Sequence, residues 1–246
     1  MLLVDEEGKL VSLDACPDSH TRFPKEFVMT HEAQTLDAPL IPGIMDRLKS
    51  ETRSNHDQAE QNGFGTKVMT GGLTEDLYVQ HLVAWRRMLA HLEHALRTSD
   101  NQLVAETWHE GLAKQPILDR DLDQLSPGGT PLRPAVTAAV QAFNDMVDSY
   151  AEEAPECLLG VLYVLEGSTM GGSVMKPRIA KQLGLEDGMG LGYYGCYGNK
   201  VAIQFKDFRT RMGGSVDGSG TEESVIEAAR STFDRVGDVL RAITDD

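Results

Sequence analysis

The stretch EGSTMGG, residues 166–172, places three glycines inside a run from Glu156 to Leu183 whose apolar spacing otherwise predicts one long helix. Each glycine in a helix interior costs about 1 kcal/mol relative to alanine. Three of them therefore give up roughly 3 kcal/mol unless the missing side chains serve a purpose. A helix without Cβ atoms along one stripe can lie directly against a flat object. Close packing against another helix, or a plain break between two helices, explains the glycines equally well at this point.

Composition and charge narrow the classes of function. The chain has 246 residues, enough for one large domain or two small ones. Its 23 Lys and Arg residues against 38 Asp and Glu residues give a formal net charge of −15, which argues against nucleic acid or an anionic membrane as the main partner. The longest apolar stretch, around Leu158 to Leu165, is too short to span a bilayer, and the N-terminus lacks the pattern of a signal peptide. We therefore expect a soluble, cytoplasmic protein.

The cysteines favour no covalent or zinc framework. Cys16, Cys157 and Cys196 are odd in number, widely spaced and form no Cys-x-x-Cys pair. We expect three reduced thiols.

Helical periodicity begins at Gly43 and recurs through most of the remaining sequence. The predicted helices are one from Gly43 onward that carries Ile44, Leu48, Thr52 and Ala59, then Leu73 to Leu96 with Thr74 as N-cap, Leu103 to Lys114, Arg133 to Ala151, Glu156 to Leu183, about Asn199 to Met212, and Thr221 to Ile243. Residues 184–198 form a connection rich in Gly and Tyr, and residues 213–220 are predicted to be a flexible loop. Residues 1–42 are expected to be a partly ordered N-terminal extension. With strand patterns almost absent, residues 43–246 are predicted to form a single all-α domain.

The first predicted helix carries four polar side chains on one face. Lys49, Arg53, His56 and Glu60 are spaced by four, three and four residues. An imidazole that binds a metal usually has its second ring nitrogen held by another group, and Glu60 is placed to do this. The two cations would then contact acidic groups of a ligand whose metal lies at His56. The alternative is a solvated face on which Lys49 and Arg53 pair with Glu51 and Glu60.

Two segments of the sequence, which contain the polar helix face and the glycines discussed above, resemble segments of a known family. The segment LKSETRSNHDQAEQ, Leu48 to Gln61, followed by GLTEDLY from Gly72, resembles the proximal helix of haem oxygenases. The segment LEGSTMGG, Leu165 to Gly172, resembles the kinked distal helix of the same family.

Two further motifs follow in the family's order. FKDFRTRM, Phe205 to Met212, resembles the late helix whose basic residues hold the haem propionates, and Phe233 falls at an aromatic wall of the pocket. The match is collinear from about Gly43 to Ile243, and four separated stretches in the right order make it specific. The chain resembles the bacterial, biliverdin-producing type.

The resemblance implies a role for each matched residue. His56 would be the axial ligand of the haem iron, and the distal surface that carries the catalytic step would be Gly167, Ser168, Gly171 and Gly172. The remaining cofactor-binding residues would be Lys49, Arg53, Glu60, Lys206, Arg209 and Phe233.

The implied reaction is the oxidative cleavage of haem to biliverdin, carbon monoxide and ferrous iron. Haem is then both substrate and cofactor, O2 is consumed, and a reductase or ferredoxin supplies the electrons. We expect a monomer or a weak dimer.

Two departures from the animal enzymes leave alternatives open. The first arginine of FKDFRTRM stands one residue closer to the lysine, so Arg211 could take the place of Arg209. Ser168 occupies the position of an aspartate that holds a water beside the bound oxygen. A serine hydroxyl can still hold water but carries no charge. A carrier or sensor that holds haem at His56 without degrading it is therefore the alternative function.

Two other enzyme classes have weaker support. A di-iron helical bundle needs two Glu-x-x-His motifs, and only Glu106 to His109 fits, while His91 and His94 are typical of solvated histidines. A thiaminase-like enzyme needs an activated cysteine, and Cys157 has the pattern of a core residue.

Overall fold

The computed structural model describes residues 2–4, 10–12, 42–60, 63–186 and 188–245, the side chains of residues 2–4, 10–12 and 60 excepted. The chain divides into two compact units, residues 1–40 and 41–246. In the first unit, strand β1 (Leu2–Val4) pairs antiparallel with strand β2 (Leu10–Ser12). The sequence predictions for residues 13–41, including the thiol of Cys16, lie outside the described residues.

The described part of the second unit contains helices, turns and loops but no strand, which confirms the all-α prediction. Its helices are α1 (Ile44–Glu51), α2 (Arg53–Glu60), α3 (Gly63–Thr70), α4 (Glu75–Thr98), α5 (Gln102–Thr107), α6 (Gln115–Leu125), α7 (Pro134–Glu153), α8 (Cys157–Leu183), α9 (Val201–Val216) and α10 (Glu222–Thr244). Short 3-10 turns lie at Glu110–Leu112, Tyr193–Gly195 and Gly198–Lys200.

Helix α8 lies at the centre and packs against α10, α7, α9 and α4. Its first third, Cys157 to Leu165, is apolar on every face and almost wholly buried, as expected of a helix surrounded by others. The predicted N-cap of α4 is confirmed, because Thr74 Oγ1 accepts a hydrogen bond from the Leu77 N–H at 3.3 Å. These contacts hold α8 with its glycine stretch at the edge of the core.

Helix α8 is also the one helix among the described residues that is long and apolar enough to cross a membrane. Of its most apolar window, 61% is buried inside the protein. Core helices of globular proteins commonly show this combination.

Two predicted helices are interrupted. The first helix breaks at Thr52, where φ is −105° and ψ is 7°, and the Thr52 hydroxyl donates to the Leu48 carbonyl at 2.7 Å. The helix predicted from Leu103 to Lys114 ends at Thr107 instead. The chain is extended at Trp108 and makes a single 3-10 turn before Lys114, which is buried. At Thr52 the hydroxyl shares the Leu48 carbonyl with the Thr52 N–H, an arrangement that often bends helices, and at Thr107 the hydroxyl lies 2.7 Å from the Ser215 hydroxyl of α9.

Two helices were missing from the sequence prediction. One is α3, and the other is α6, which has a proline in its first turn. A carboxylate from α4 caps the start of α6, because Glu93 Oε1 accepts the N–H groups of Lys114 at 2.6 Å and Gln115 at 3.1 Å. Such a cap comes from a distant part of the chain and leaves no local signal.

The loop predicted from residue 213 begins later, at Asp217, so the prediction was wrong for residues 213–216. Gly213 and Gly214 continue α9 because the last turn is held from outside. Ser215 and Val216 are buried, and the Ser215 hydroxyl is 2.7 Å from the Thr107 hydroxyl of α5.

Candidate functional site

A cavity of about 1260 Å³ separates α1 and α2 from the glycine stretch of α8. Parts of α3, α4, α9, α10 and the turn at Tyr193 complete its walls. The lining residues that bear on its chemistry are Lys49, Arg53, His56, Phe64, His81, Trp85, Gly167, Ser168, Gly171, Gly172, Tyr193, Tyr194, Arg209 and Phe233. Most residues that the sequence singled out therefore lie around one space.

His56 presents its imidazole on the α2 side of this cavity, with 52% of the side chain exposed. Its ring meets Phe233 of α10 edge to face, with centroids 5.8 Å apart and planes at 76°. Nδ1 lies 3.7 Å from Asp57 Oδ1. An accessible imidazole oriented by an aromatic ring is a suitable ligand for a haem iron. The side chain of Glu60, predicted to support this ring, lies outside the described residues.

The glycine surface of α8 forms another wall. A Cβ atom built on Gly167 or on Gly171 would have no neighbouring atom within 4 Å, whereas one on Gly172 would lie 3.3 Å from the Tyr194 carbonyl oxygen. Gly167 and Gly171 are thus not explained by packing against another helix. They leave bare backbone beside the cavity, and Gly172 packs against the Tyr194 backbone.

The hydroxyls within the glycine stretch bind the backbone of their own helix. Ser168 Oγ donates to the Leu165 carbonyl at 2.7 Å, and Thr169 Oγ1 donates to the Glu166 carbonyl at 2.7 Å. The Ser168 oxygen keeps lone pairs that can accept a hydrogen bond in the cavity.

Three cations line the cavity, on α1, α2 and α9. Lys49 and Arg53 lie on either side of the Thr52 break, and the Arg53 side chain is 81% exposed. Arg209 Nη2 lies 3.3 Å from Asp46 Oδ1. Such side chains suit the carboxylates at the rim of a ligand.

Lys206 and Arg211 lie outside this lining. Lys206 borders a neighbouring, smaller cavity of about 710 Å³, which Arg209 also touches. Arg211 forms an i,i+4 pair with Asp207 at 2.9 Å. Of the two arginines left open by the sequence, the structure brings Arg209 to the large cavity.

A buried aromatic group forms the deep end of the cavity and was not predicted from the sequence. The His81 ring stacks on Phe64 with centroids 4.3 Å apart, and its Nε2 is 2.8 Å from the Tyr194 hydroxyl. Burial lowers the pKa of His81 to about 3 and raises the pKa of Tyr194 well above its usual value. Both side chains are therefore neutral at pH 7. His81 has the spacing of a core residue on α4, so only the tyrosines offered a visible signal.

The connection that carries the tyrosines is held by a buried carboxylate. Asp121 of α6 accepts the Gly192 N–H at 2.8 Å and the Tyr193 N–H at 2.7 Å. Burial raises the pKa of Asp121, while the two N–H donors oppose that shift. Two residues before Gly192, the Gly190 carbonyl accepts a hydrogen bond from the Tyr78 hydroxyl of α4 at 2.7 Å. The connection is thus a fixed wall.

The residues of the alternative enzyme classes have other partners. Glu106 accepts a hydrogen bond from Gln102 at 2.7 Å, and His109 Nδ1 accepts the Gly111 N–H at 3.2 Å. His91 Nε2 is 2.7 Å from Asp148. Burial raises the pKa of the Cys157 thiol to about 11, which disfavours the reactive thiolate.

Comparison with known proteins gives one consistent family. The family model described as heme oxygenase matches residues 43–242. Heme oxygenase 1 of Synechocystis sp. is 23% identical over 200 residues, covering 77% of this chain and 80% of the relative. Heme oxygenase 2 of Rattus norvegicus is 25% identical over 196 residues, covering 78% of this chain and 62% of the relative.

Solved structures show the same fold. Heme oxygenase of Leptospira interrogans superposes with a TM-score of 0.74 at 21% identity, covering 81% of this chain and 99% of that one. Heme oxygenase-1 of Synechocystis sp. in complex with heme gives a TM-score of 0.73 at 20% identity, covering 82% of this chain and 93% of that one.

Proposed function

The chain belongs to the haem oxygenase family, and from this premise we propose that it cleaves haem oxidatively to biliverdin, carbon monoxide and ferrous iron. The reaction would use O2 and electrons from a separate reductase or ferredoxin. The observation that carries the proposal is that His56 and the bare backbone of Gly167 and Gly171 line the same cavity. A flat macrocycle with a central metal fits a space with an imidazole on one wall and a surface without side chains on another.

The residues around the cavity would hold the haem by its iron and by its propionates. His56 would hold the iron, and Phe233 would fix the imidazole by its edge-to-face contact. Lys49, Arg53 and Arg209 would bind the propionates at the open side of the cavity. Lys206 would act only at the periphery, and Glu60 would support the His56 ring from one turn further along α2.

The distal surface would control what reaches the haem. Bound haem supplies the oxygen-activating chemistry, and the protein supplies position. Because Gly167, Gly171 and Gly172 have no side chains, their backbone could come close to the haem and leave room for a small ligand only. Ser168 Oγ would accept a hydrogen bond from a water and hold it at the distal face, while its own proton stays on the Leu165 carbonyl.

The second candidate function is that of a haem carrier or sensor, favoured by the same serine. Ser168 has no negative charge, and its proton is already donated within α8. A site without a proton relay would bind haem and O2 without cleaving the haem.

A reductant and air separate the two candidates. The purified protein is loaded with hemin, reduced by ascorbate in air and followed by absorption. We expect the Soret band to disappear as a biliverdin spectrum grows, and His56→Ala to lose both the wild-type haem spectrum and the conversion. A Soret band that persists in the wild type would favour the carrier, and no uptake of hemin at all would overturn both.

The proposal extends to partners and placement in the cell. Lys49, Arg53 and Arg209 would form a positive rim on an acidic protein and guide an acidic electron donor to the haem edge. We place the whole activity in residues 43–246, in the cytoplasm and apart from any membrane, with residues 1–42 as an accessory extension. We further propose that the protein acts as a monomer or a weak dimer.

A further inference from the structure

Glu166, the residue before Gly167, takes part in a closed ring of hydrogen bonds. Lys114 Nζ donates to Glu166 Oε2 at 2.9 Å, to the Tyr197 hydroxyl at 2.8 Å and to the Leu112 carbonyl at 2.6 Å. The Tyr197 hydroxyl in turn donates to Glu166 Oε1 at 2.7 Å. Every proton of the ammonium group has an acceptor, and both carboxylate oxygens have a donor.

The ring is a buried ion pair, which is a poor device for stability alone. The Lys114 and Glu166 side chains are only 4% and 2% exposed. Removing two charges from water costs about as much as their attraction returns, and apolar replacements of similar volume are often equally stable. A buried polar network in which every group is hydrogen-bonded can instead fix one geometry.

The position of the ring suggests which geometry it fixes. Gly167 and Gly171 have no side chains, and no atom lies within 4 Å of where their Cβ atoms would be. The glycine side of this backbone therefore packs against no other part of the protein, while the residues at its two ends are held by other elements. Glu166 holds one end through the ring, and Gly172 holds the other through its contact with the Tyr194 backbone.

Both anchors belong to the same fixed connection. Tyr194 and Tyr197 are three residues apart, and Asp121 binds the backbone just before them. None of the three ring side chains lines the large cavity. They act on it through α8.

We propose that the ring of Lys114, Glu166 and Tyr197 is a positioning unit that sets how far the glycine surface stands from bound haem, and therefore how large a ligand can bind the iron on that side. This inference rests on the proposed function, because it requires haem in the cavity. The three residues are positioning residues and touch no reacting atom.

The test compares a small and a bulky ligand on the ferric hemin complex. Dissociation constants for cyanide and imidazole are measured by absorption in the wild type and in two variants. Tyr197→Phe removes one hydroxyl, and the triple variant Lys114→Met, Glu166→Met, Tyr197→Phe removes the ring without leaving a buried charge. We expect imidazole affinity relative to cyanide to rise roughly tenfold in the triple variant, equivalent to about 1.4 kcal/mol, and by less in Tyr197→Phe.

A core variant controls for loss of stability. Val147→Ala on α7 removes buried volume away from the cavity lining and should leave the ratio at the wild-type value. A ratio unchanged in both ring variants, or changed equally by Val147→Ala, would overturn the positioning role. Wild-type protein that takes up no hemin would overturn the proposed function as well, so the two failures are distinguishable.

Discussion

Gly160 and Gly171 lie about three turns apart on α8, yet the space in which each would carry a Cβ atom differs completely. At Gly160 that atom would overlap the Val225 carbonyl oxygen and lie 2.8 Å from the Ala229 N atom, both on α10. At Gly171 it would meet nothing within 4 Å. The first glycine lets two helices touch, and the second leaves a surface open to a ligand. Glycine therefore serves two different purposes at two positions of the same helix.

The largest effect is expected where the helices touch. Gly160→Ala would push α8 away from the backbone of α10, which cannot move as a flexible side chain can. We expect a loss of about 3 kcal/mol in the free energy of unfolding of the apoprotein, measured by urea titration. An unchanged stability would show that α8 and α10 are less closely packed at Gly160 than described.

The pH dependence of stability tests the end of the glycine surface, where Gly172 packs on Tyr194. Tyr194 is hydrogen-bonded to His81, whose pKa burial lowers to about 3. Below the ordinary pKa near 6.5 the unfolded chain binds a proton that the folded chain does not, so stability is full above pH 6.5 and is lost progressively as the pH falls towards 3. Between pH 6.5 and 5 the loss is about 2 kcal/mol.

His81→Phe is the matched control for this pH effect, because it keeps an aromatic ring between Phe64 and Trp85. Urea titrations at several pH values should show a shallower slope for this variant between pH 6.5 and 5. Parallel curves for the two proteins would contradict a buried, neutral His81.

The smallest effect is expected at the open surface and has the opposite sign. Gly171→Ala adds a Cβ atom where no neighbour lies, and alanine favours the helix. We expect the apoprotein to gain about 0.5–1 kcal/mol in the same urea titration. A loss similar to that of Gly160→Ala would mean that Gly171, too, is packed against protein.

The periodicity of the sequence was enough to predict the helical fold, because long apolar stripes such as that of α4 depend on local spacing. The breaks at Thr52 and Thr107 were missed because they involve the Thr52 hydroxyl and a tertiary contact of Thr107, which local spacing does not reveal. The extension of α9 to Val216 was missed for a similar reason, since α5 holds Ser215 from across the fold. Contacts of this kind join residues far apart in sequence.

The candidate site likewise contains residues that local sequence patterns reveal and residues that only tertiary contacts reveal. His56, Arg53 and the glycine motif could be selected from the sequence because they stand in recognisable local patterns. Whether Lys206 or Arg209 faces the cavity depends on the rotation of α9, which spacing within FKDFRTRM does not determine. The roles of Asp121 and Glu166 as anchors arise only from tertiary contacts: Asp121 lies in no singled-out pattern, and the glycine motif that contains Glu166 does not reveal its partners.

The claim on which the comparison depends is that bound haem lies between His56 and the open backbone at Gly171. The most direct measurement is the carbon monoxide difference spectrum of the reduced hemin complex in Gly171→Leu. If haem lies in this position, the variant binds ferric hemin as the wild type does, through His56, but forms no carbon monoxide complex when reduced. A normal carbon monoxide spectrum would contradict it, because a leucine side chain at the distal surface would leave no room for the gas.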